Sequence, residues 1–170
     1  MYIELTDHLR CPADHAESFL VLLPGETVDR SVRSGLLGCP VCNAEYRIVD
    51  GVVLFPASPE RLSVRAPVTA EAVQAFLGLA GPGGYAVLVG DVAGIVTALA
   101  AAVPGVHFAA IDPIEPVIES RIVSAIVSDR IPFKTASLRG VVLGGGYGGA
   151  AAWAAEGLRA VLPGLRVVGA

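Results

Sequence analysis

The chain has 170 residues, is 54% hydrophobic and 16% charged, and carries a formal net charge of −4. With one lysine, Lys134, and no basic run, it lacks the electrostatic footprint of a nucleic-acid binder, and no run of 18 apolar residues is bounded like a membrane span. A charged content well below the usual quarter leaves more apolar side chain than a small monomer can bury, so contact with another chain, most simply a homo-oligomer, is expected.

Thr6 to Leu9 has the makings of one short helical turn, with His8 expected at its surface. Cys11-Pro-Ala-Asp-His15 follows, and after residues 16–38 comes Cys39-Pro-Val-Cys42. Three cysteines cannot all pair as disulfides. No secretory leader is read at the start of the chain, so a reducing, cytoplasmic setting is expected, where thiols at this spacing point to a metal. The turn Cys39-Pro-Val-Cys42 presents two sulfurs to one ion. Three thiolates and one imidazole make a closed tetrahedral site of the structural zinc type. Asp14 stands where a second Cys-x-x-Cys would place its second cysteine. Imidazole is the better zinc ligand beside three thiolates, so the ligand set reads Cys11, His15, Cys39 and Cys42, with Asp14 as the alternative fourth ligand. A redox Cys-x-x-Cys is the competing reading, but no strand-motif-helix context surrounds it.

Phe19–Leu23 is a strand candidate ended by Pro24-Gly25, and Val32–Leu37 leads back into the Cys39 turn. Glu45–Val49 alternates polar and apolar as a half-buried strand does, and Asp50-Gly51 turns it into Val52–Phe55. A sheet this small needs a metal for much of its folding energy. Residues 1–57 are therefore read as a zinc-bound module, 58–68 as a Pro-broken linker, and 69–170 as an α/β module.

In the second module, Ala70–Leu79 is a helix, closed by Gly81-Pro-Gly-Gly84. Tyr85–Gly90 is a continuous apolar strand, as expected where both faces are covered. A helix over Asp91–Ala102, strands at His107–Ile111, Ile122–Val127 and Gly140–Leu143, a helix over Ala150–Leu162 and a strand at Leu165–Gly169 complete it. This alternation predicts an open, mostly parallel sheet. His107 lies within a strand and reads as structural. Gly144-Gly-Gly-Tyr147-Gly-Gly149 follows the fourth strand: its glycines either form a turn or cradle an anion, and Tyr147 either stacks on a ligand or caps the sheet edge.

Two resemblances carry these readings further. Leu9-Arg-Cys-Pro12, Gly38-Cys-Pro-Val-Cys42 and Tyr46-Arg-Ile-Val-Asp-Gly-Val52 resemble the zinc ribbon of the small activator subunit of tRNA methyltransferases, a ribbon that also precedes many bacterial methyltransferase domains. The departure is Asp14-His15 in place of a cysteine. Val87-Leu-Val-Gly-Asp-Val-Ala-Gly94, Asp112, Ser128-Asp-Arg-Ile-Pro-Phe133 and Arg159-Ala-Val-Leu-Pro-Gly-Leu-Arg166 resemble, in order, the segments of class I S-adenosylmethionine-dependent methyltransferases. That resemblance implies a shortened Rossmann-like domain in which Gly90, Gly94, Asp112 and Asp129 would line a site for S-adenosylmethionine.

The departures weigh against catalysis. Leu88 stands at the family's acidic position, and Val92 replaces the middle glycine, where the backbone has to approach the ligand. Only a short segment with Pro113 and Pro116 separates the second strand from the third, so a crossover helix is expected to be missing and sheet surface left bare for a second copy. The chain also ends after the fifth strand, where the family's substrate-binding elements usually follow. The expectation is a zinc-binding, non-catalytic scaffold or regulatory protein, homodimeric, with a methyltransferase that it regulates as the partner protein. An active methyltransferase with a divergent cofactor loop is the alternative, and no catalytic residue is assigned.

Overall fold

The computed structural model describes residues 1–58 and 68–170, so most of the expected linker at 58–68 lies outside the described residues. The first half opens with a 3₁₀ helix at Ile3–His8. Its strands are β1 (Val21–Pro24), β2 (Thr27–Val28), β3 (Ser31–Val32), β4 (Gly35–Gly38), β5 (Glu45–Val49) and β6 (Val52–Leu54). β1 pairs antiparallel with β4, β4 with β5 and β5 with β6, while β2 and β3 form a separate hairpin. Asp29 and Arg30 at the tip of that hairpin both take positive φ, the conformation a two-residue turn demands.

The second half holds α1 (Ala70–Leu77), β7 (Tyr85–Val89), a 3₁₀ helix at Gly90–Ile95 running into α2 (Val96–Ala102), and β8 (His107–Ile111). After these come β9 (Val123–Val127), β10 (Leu138–Leu143), α3 (Gly145–Gly148), α4 (Ala151–Ala160) and β11 (Val161–Gly169). The Thr69 hydroxyl caps α1 by accepting from the Ala72 N–H at 3.2 Å, and Gly78 ends it in the left-handed region. The helix expected to reach Leu162 stops at Ala160. There Ser137 and Ala136 donate to the carbonyls of Ala160 and Arg159, and the residue before Pro163 avoids the helical region. Beyond that point β11 breaks register against β10, between the pairs Leu138–Val161 and Gly140–Arg166.

All strands but β2 and β3 belong to one sheet, ordered β1-β4-β5-β6-β9-β8-β7-β10-β11. The last five are parallel to one another, and taken in chain order they run 3-2-1-4-5, the doubly wound arrangement. The antiparallel half joins them through β6, which lies parallel to β9 with Val53 opposite Ile126 and Leu54 opposite Val127. The Phe55 N–H extends that seam to the Val127 carbonyl. The two modules therefore share one hydrogen-bonded sheet.

Register sorts the core into two layers. On one face Tyr85, Val87, Val89, Ala109, Ile111, Ile126, Val141 and Leu143 pack with Met1, Leu5, Leu9, Ile131 and Phe133. On the other, Ala86, Leu88, Phe108, Ala110, Val123 and Val142 pack under α1 and α2. Residues 112–122 form no helix, as the sequence led us to expect, but the sheet is not left bare. Val117 and Ile122 of that crossover pack onto the α2 face. The crossover over residues 128–137 also lacks a helix, and the N-terminal 3₁₀ segment covers the opposite face in its stead. The bare surface invoked for dimerisation is thus covered by the chain itself. His8, expected at the surface, is half-buried for the same reason: its ring lies 4.3 Å from that of Tyr85.

Candidate metal centre and the crevice at the switch point

The first pair of candidate ligands sits on a loop pinned at both ends. The Arg10 N–H donates to the Pro132 carbonyl, and the Cys11 N–H donates to the Ser18 carbonyl at 3.0 Å. The second pair sits on the turn between β4 and β5. There Asn43 takes φ 59°, its N–H donates to the Cys39 carbonyl, and the Cys39 N–H donates to the Ala44 carbonyl. Asparagine tolerates this left-handed conformation, which lets the chain fold back over the sulfurs.

Together the two loops bring Cys11, His15, Cys39 and Cys42 into one group whose ligand atoms all lie within 4.8 Å of one another. Cys11 Sγ is 3.7 Å from Cys42 Sγ, and Cys39 Sγ is 3.5 Å from His15 Nε2. Bonds of about 2.3 Å to sulfur and about 2.0 Å to nitrogen give tetrahedral edges of about 3.8 Å and 3.5 Å. The two spacings are therefore those of ligands around one ion, and 3.7 Å is far beyond a disulfide. His15 Nδ1 lies 2.6 Å from the Ala16 carbonyl; donating there, it leaves the Nε2 lone pair for a metal. Asp14 is exposed and stands outside the group.

The electrostatics favour thiolate at Cys39 and oppose it at Cys11. Burial works against an ionised Cys39, but the backbone N–H groups of Cys42 and Val41 and the neighbouring thiols outweigh it and bring its pKa to about 6. Burial raises Cys11, against a hydrogen bond from Tyr46, whose hydroxyl is 3.1 Å from Cys11 Sγ. Tyr46 was legible only as part of the ribbon motif; its role behind a ligand comes from the fold.

The second candidate site is the crevice beyond the carboxyl ends of β7 and β10, where the strand order reverses and ligands bind in doubly wound sheets. Here the chain's own side chains fill it. Gly90 has φ +76°, and a Cβ built on it would meet the Tyr147 ring at 2.6 Å. Tyr147 is buried and stacks edge-on against Trp153, with ring centroids 4.9 Å apart. A Cβ on Gly144 would meet Asp91 Oδ1 at 2.1 Å and Val92 Cγ1 at 2.9 Å. Gly90 and Gly144 are thus glycines because Tyr147, Asp91 and Val92 crowd them.

The other residues expected around a cofactor are dispersed. Around Gly94 nothing lies within 4 Å of an added Cβ. Asp112 is buried with φ 46°, and its Oδ1 accepts from the Ser128 N–H at 3.2 Å, which ties the end of β8 to the end of β9. Asp129 is exposed, pairs with Arg130 at 3.3 Å, and borders a cavity of about 260 Å³ with Ala152, Trp153 and Glu156. Leu88 is fully buried among the residues under α2 and does not face the crevice at all. The glycine-rich region after β10, five glycines around Tyr147, forms the short helix α3, which carries Tyr147 inward.

No family model, no curated protein and no solved structure matches the chain. Among the described residues, no helix is long and apolar enough to cross a membrane.

Proposed function

We propose that this chain is a zinc-stabilised, non-catalytic scaffold built on a methyltransferase-like frame, working through protein contacts. Zinc is the ion that three thiolates and one imidazole at these spacings select, because the set is soft and four-coordinate and leaves no position for a substrate. Cys11, His15, Cys39 and Cys42 would hold it, and it would supply folding free energy to a small antiparallel sheet.

The observation that carries the non-catalytic reading is the Tyr147 ring seated over Gly90, one of the glycines at which the resemblance would place a cofactor. Exposed apolar side chains along the edge strand β1, Val21 and Leu23, with Phe19 just before it, support a role in binding other proteins. A methyltransferase that needs such a subunit is one partner class, and a second copy of this chain is another.

Calorimetric titration of zinc-loaded protein with S-adenosylmethionine and S-adenosylhomocysteine tests this reading. No heat of binding at about millimolar ligand is expected. A dissociation constant in the micromolar range would restore the alternative of an active methyltransferase.

A further inference from the structure

The residues flanking the first pair of metal ligands reach across the molecule to the helix that backs Tyr147. Arg10, immediately before Cys11, points Nη2 at Glu156 Oε2 on α4, 3.5 Å away. Glu17, two residues after His15, lies 3.7 Å from Arg159 Nη1, and Arg159 Nη2 bonds Glu156 at 2.8 Å. Four alternating charges thus link the metal loop to one face of α4. Arg159 also donates to the Ile131 and Phe133 carbonyls at 2.9 and 2.8 Å, so its position is fixed from a third side. Glu17 is fixed likewise, accepting from the Thr135 N–H and hydroxyl at 2.9 and 2.7 Å.

The same helix carries Trp153, half-buried, with its ring against Tyr147. Tyr147 is flanked on both sides by glycines, so the backbone that seats it has few steric constraints of its own. Trp153 on α4 is thus one of the contacts that seat Tyr147 over Gly90, beside the core packing of Tyr147 itself, and the charge network contributes to the position of α4.

We propose that the metal centre is a latch for the crevice: metal bound at Cys11, His15, Cys39 and Cys42 braces the pinned loop that carries Arg10 and Glu17, these help to hold α4 through Glu156 and Arg159, and α4 helps to hold Tyr147 in place. This rests on the zinc reading above and adds a consequence to it. Coupling between two equilibria is reciprocal, so if metal favours the seated Tyr147, the seated Tyr147 favours metal by the same factor.

Reciprocity supplies the test. Zinc affinity is measured by competition with a chromophoric chelator for the full chain and for Tyr147→Ala, Glu156→Ala and the double variant, with far-UV circular dichroism confirming that each is folded. None of these changes touches a metal ligand. Each single substitution is expected to weaken zinc binding about fivefold, the lower end of ordinary coupling between sites, and the double variant to be no weaker than either single one. Should Tyr147→Ala fail to fold, Tyr147→Leu takes its place. A folded Tyr147 variant with unchanged zinc affinity overturns the latch, as do two single effects that simply multiply in the double variant. In both cases the parent chain still binds zinc, so the scaffold reading stands. A parent chain that binds no zinc overturns both. The chain's sole tryptophan, Trp153, gives an independent readout. With zinc bound, Glu156→Ala should raise its quenching by acrylamide, and unchanged quenching counts against the latch.

Discussion

The two halves of this sheet bury their strands to different depths. The parallel strands β7, β8 and β9 are almost wholly inside, with apolar layers on both faces. The antiparallel strands alternate: Tyr46 and Ile48 of β5 are buried while Glu45 and Arg47 face solvent, and β1 is largely exposed. The parallel half is held by hydrophobic burial. The antiparallel half buries one face, with Leu37, Ile48, Val53 and Phe55, is paired with β9 at one end, and on the proposed reading draws the rest of its stability from a metal at the Cys/His cluster. The proposed reading thus gives one sheet two sources of stability, and each can be removed separately.

Removing the metal is the harshest way to break the comparison. Cys39→Ser should cost more than about 5 kcal/mol, beyond the ordinary range for one substitution. Because β6 is paired with β9, its thermal melt should show one transition, and two separate transitions would mean that the halves fold independently. Attacking the other source, Phe108→Ala empties a fully buried position under α2 and should cost about 3–5 kcal/mol in urea unfolding without changing metal content. Gly90→Ala forces a side chain to positive φ and into the Tyr147 ring, for about 1–3 kcal/mol in the same assay. Tyr46→Phe removes only the hydroxyl beside Cys11 and should weaken zinc about tenfold or more while the fold persists, as loss of a partner behind a ligand does.

The smallest effect is the pH dependence of the charge network. Burial opposes ionisation of Glu17, but the Thr135 hydrogen bonds and the charges of Arg159 and Arg10 prevail and hold its pKa below the usual 4.5. The stabilisation is therefore fully present above pH 4.5 and is lost as pH falls through the lower value of the folded state. Urea midpoints of the parent and Glu17→Gln should differ by a constant amount above that pH and converge below it. A difference that persists in stronger acid would show that Glu17 acts through packing.

Much of this was legible in the chain. Cys39-Pro-Val-Cys42 marks a candidate metal turn by spacing, and the fold gathers its sulfurs with Cys11 and His15; the alternation of Glu45–Val49 and the unbroken apolar run of Tyr85–Val89 foretell their different burial. What the sequence hid is tertiary. Nothing local says that β6 will lie against β9, because parallel pairing leaves no hairpin signal. Leu88 was weighed as a lost cofactor contact, yet its side chain points to the other face of the sheet, a matter of strand register that only the fold decides. The glycines around Tyr147 read equally as a turn or an anion cradle. In the fold they form a short helix whose Tyr147 meets Trp153 of the next helix and Gly90 at the end of β7, and the contact with Gly90 is the long-range one that no local pattern announces. Arg10, Glu17, Glu156 and Arg159 are ordinary surface residues until the fold sets them in a row.

The central claim is that one ion held by Cys11, His15, Cys39 and Cys42 fastens the antiparallel half to the rest. Elemental analysis and zinc-edge X-ray absorption on the purified chain address it most directly. One zinc per chain is predicted, with three sulfur neighbours at about 2.3 Å and one nitrogen at about 2.0 Å. A metal-free, fully folded chain with titratable thiols, or a centre in which an oxygen of Asp14 replaces the His15 nitrogen, would contradict it.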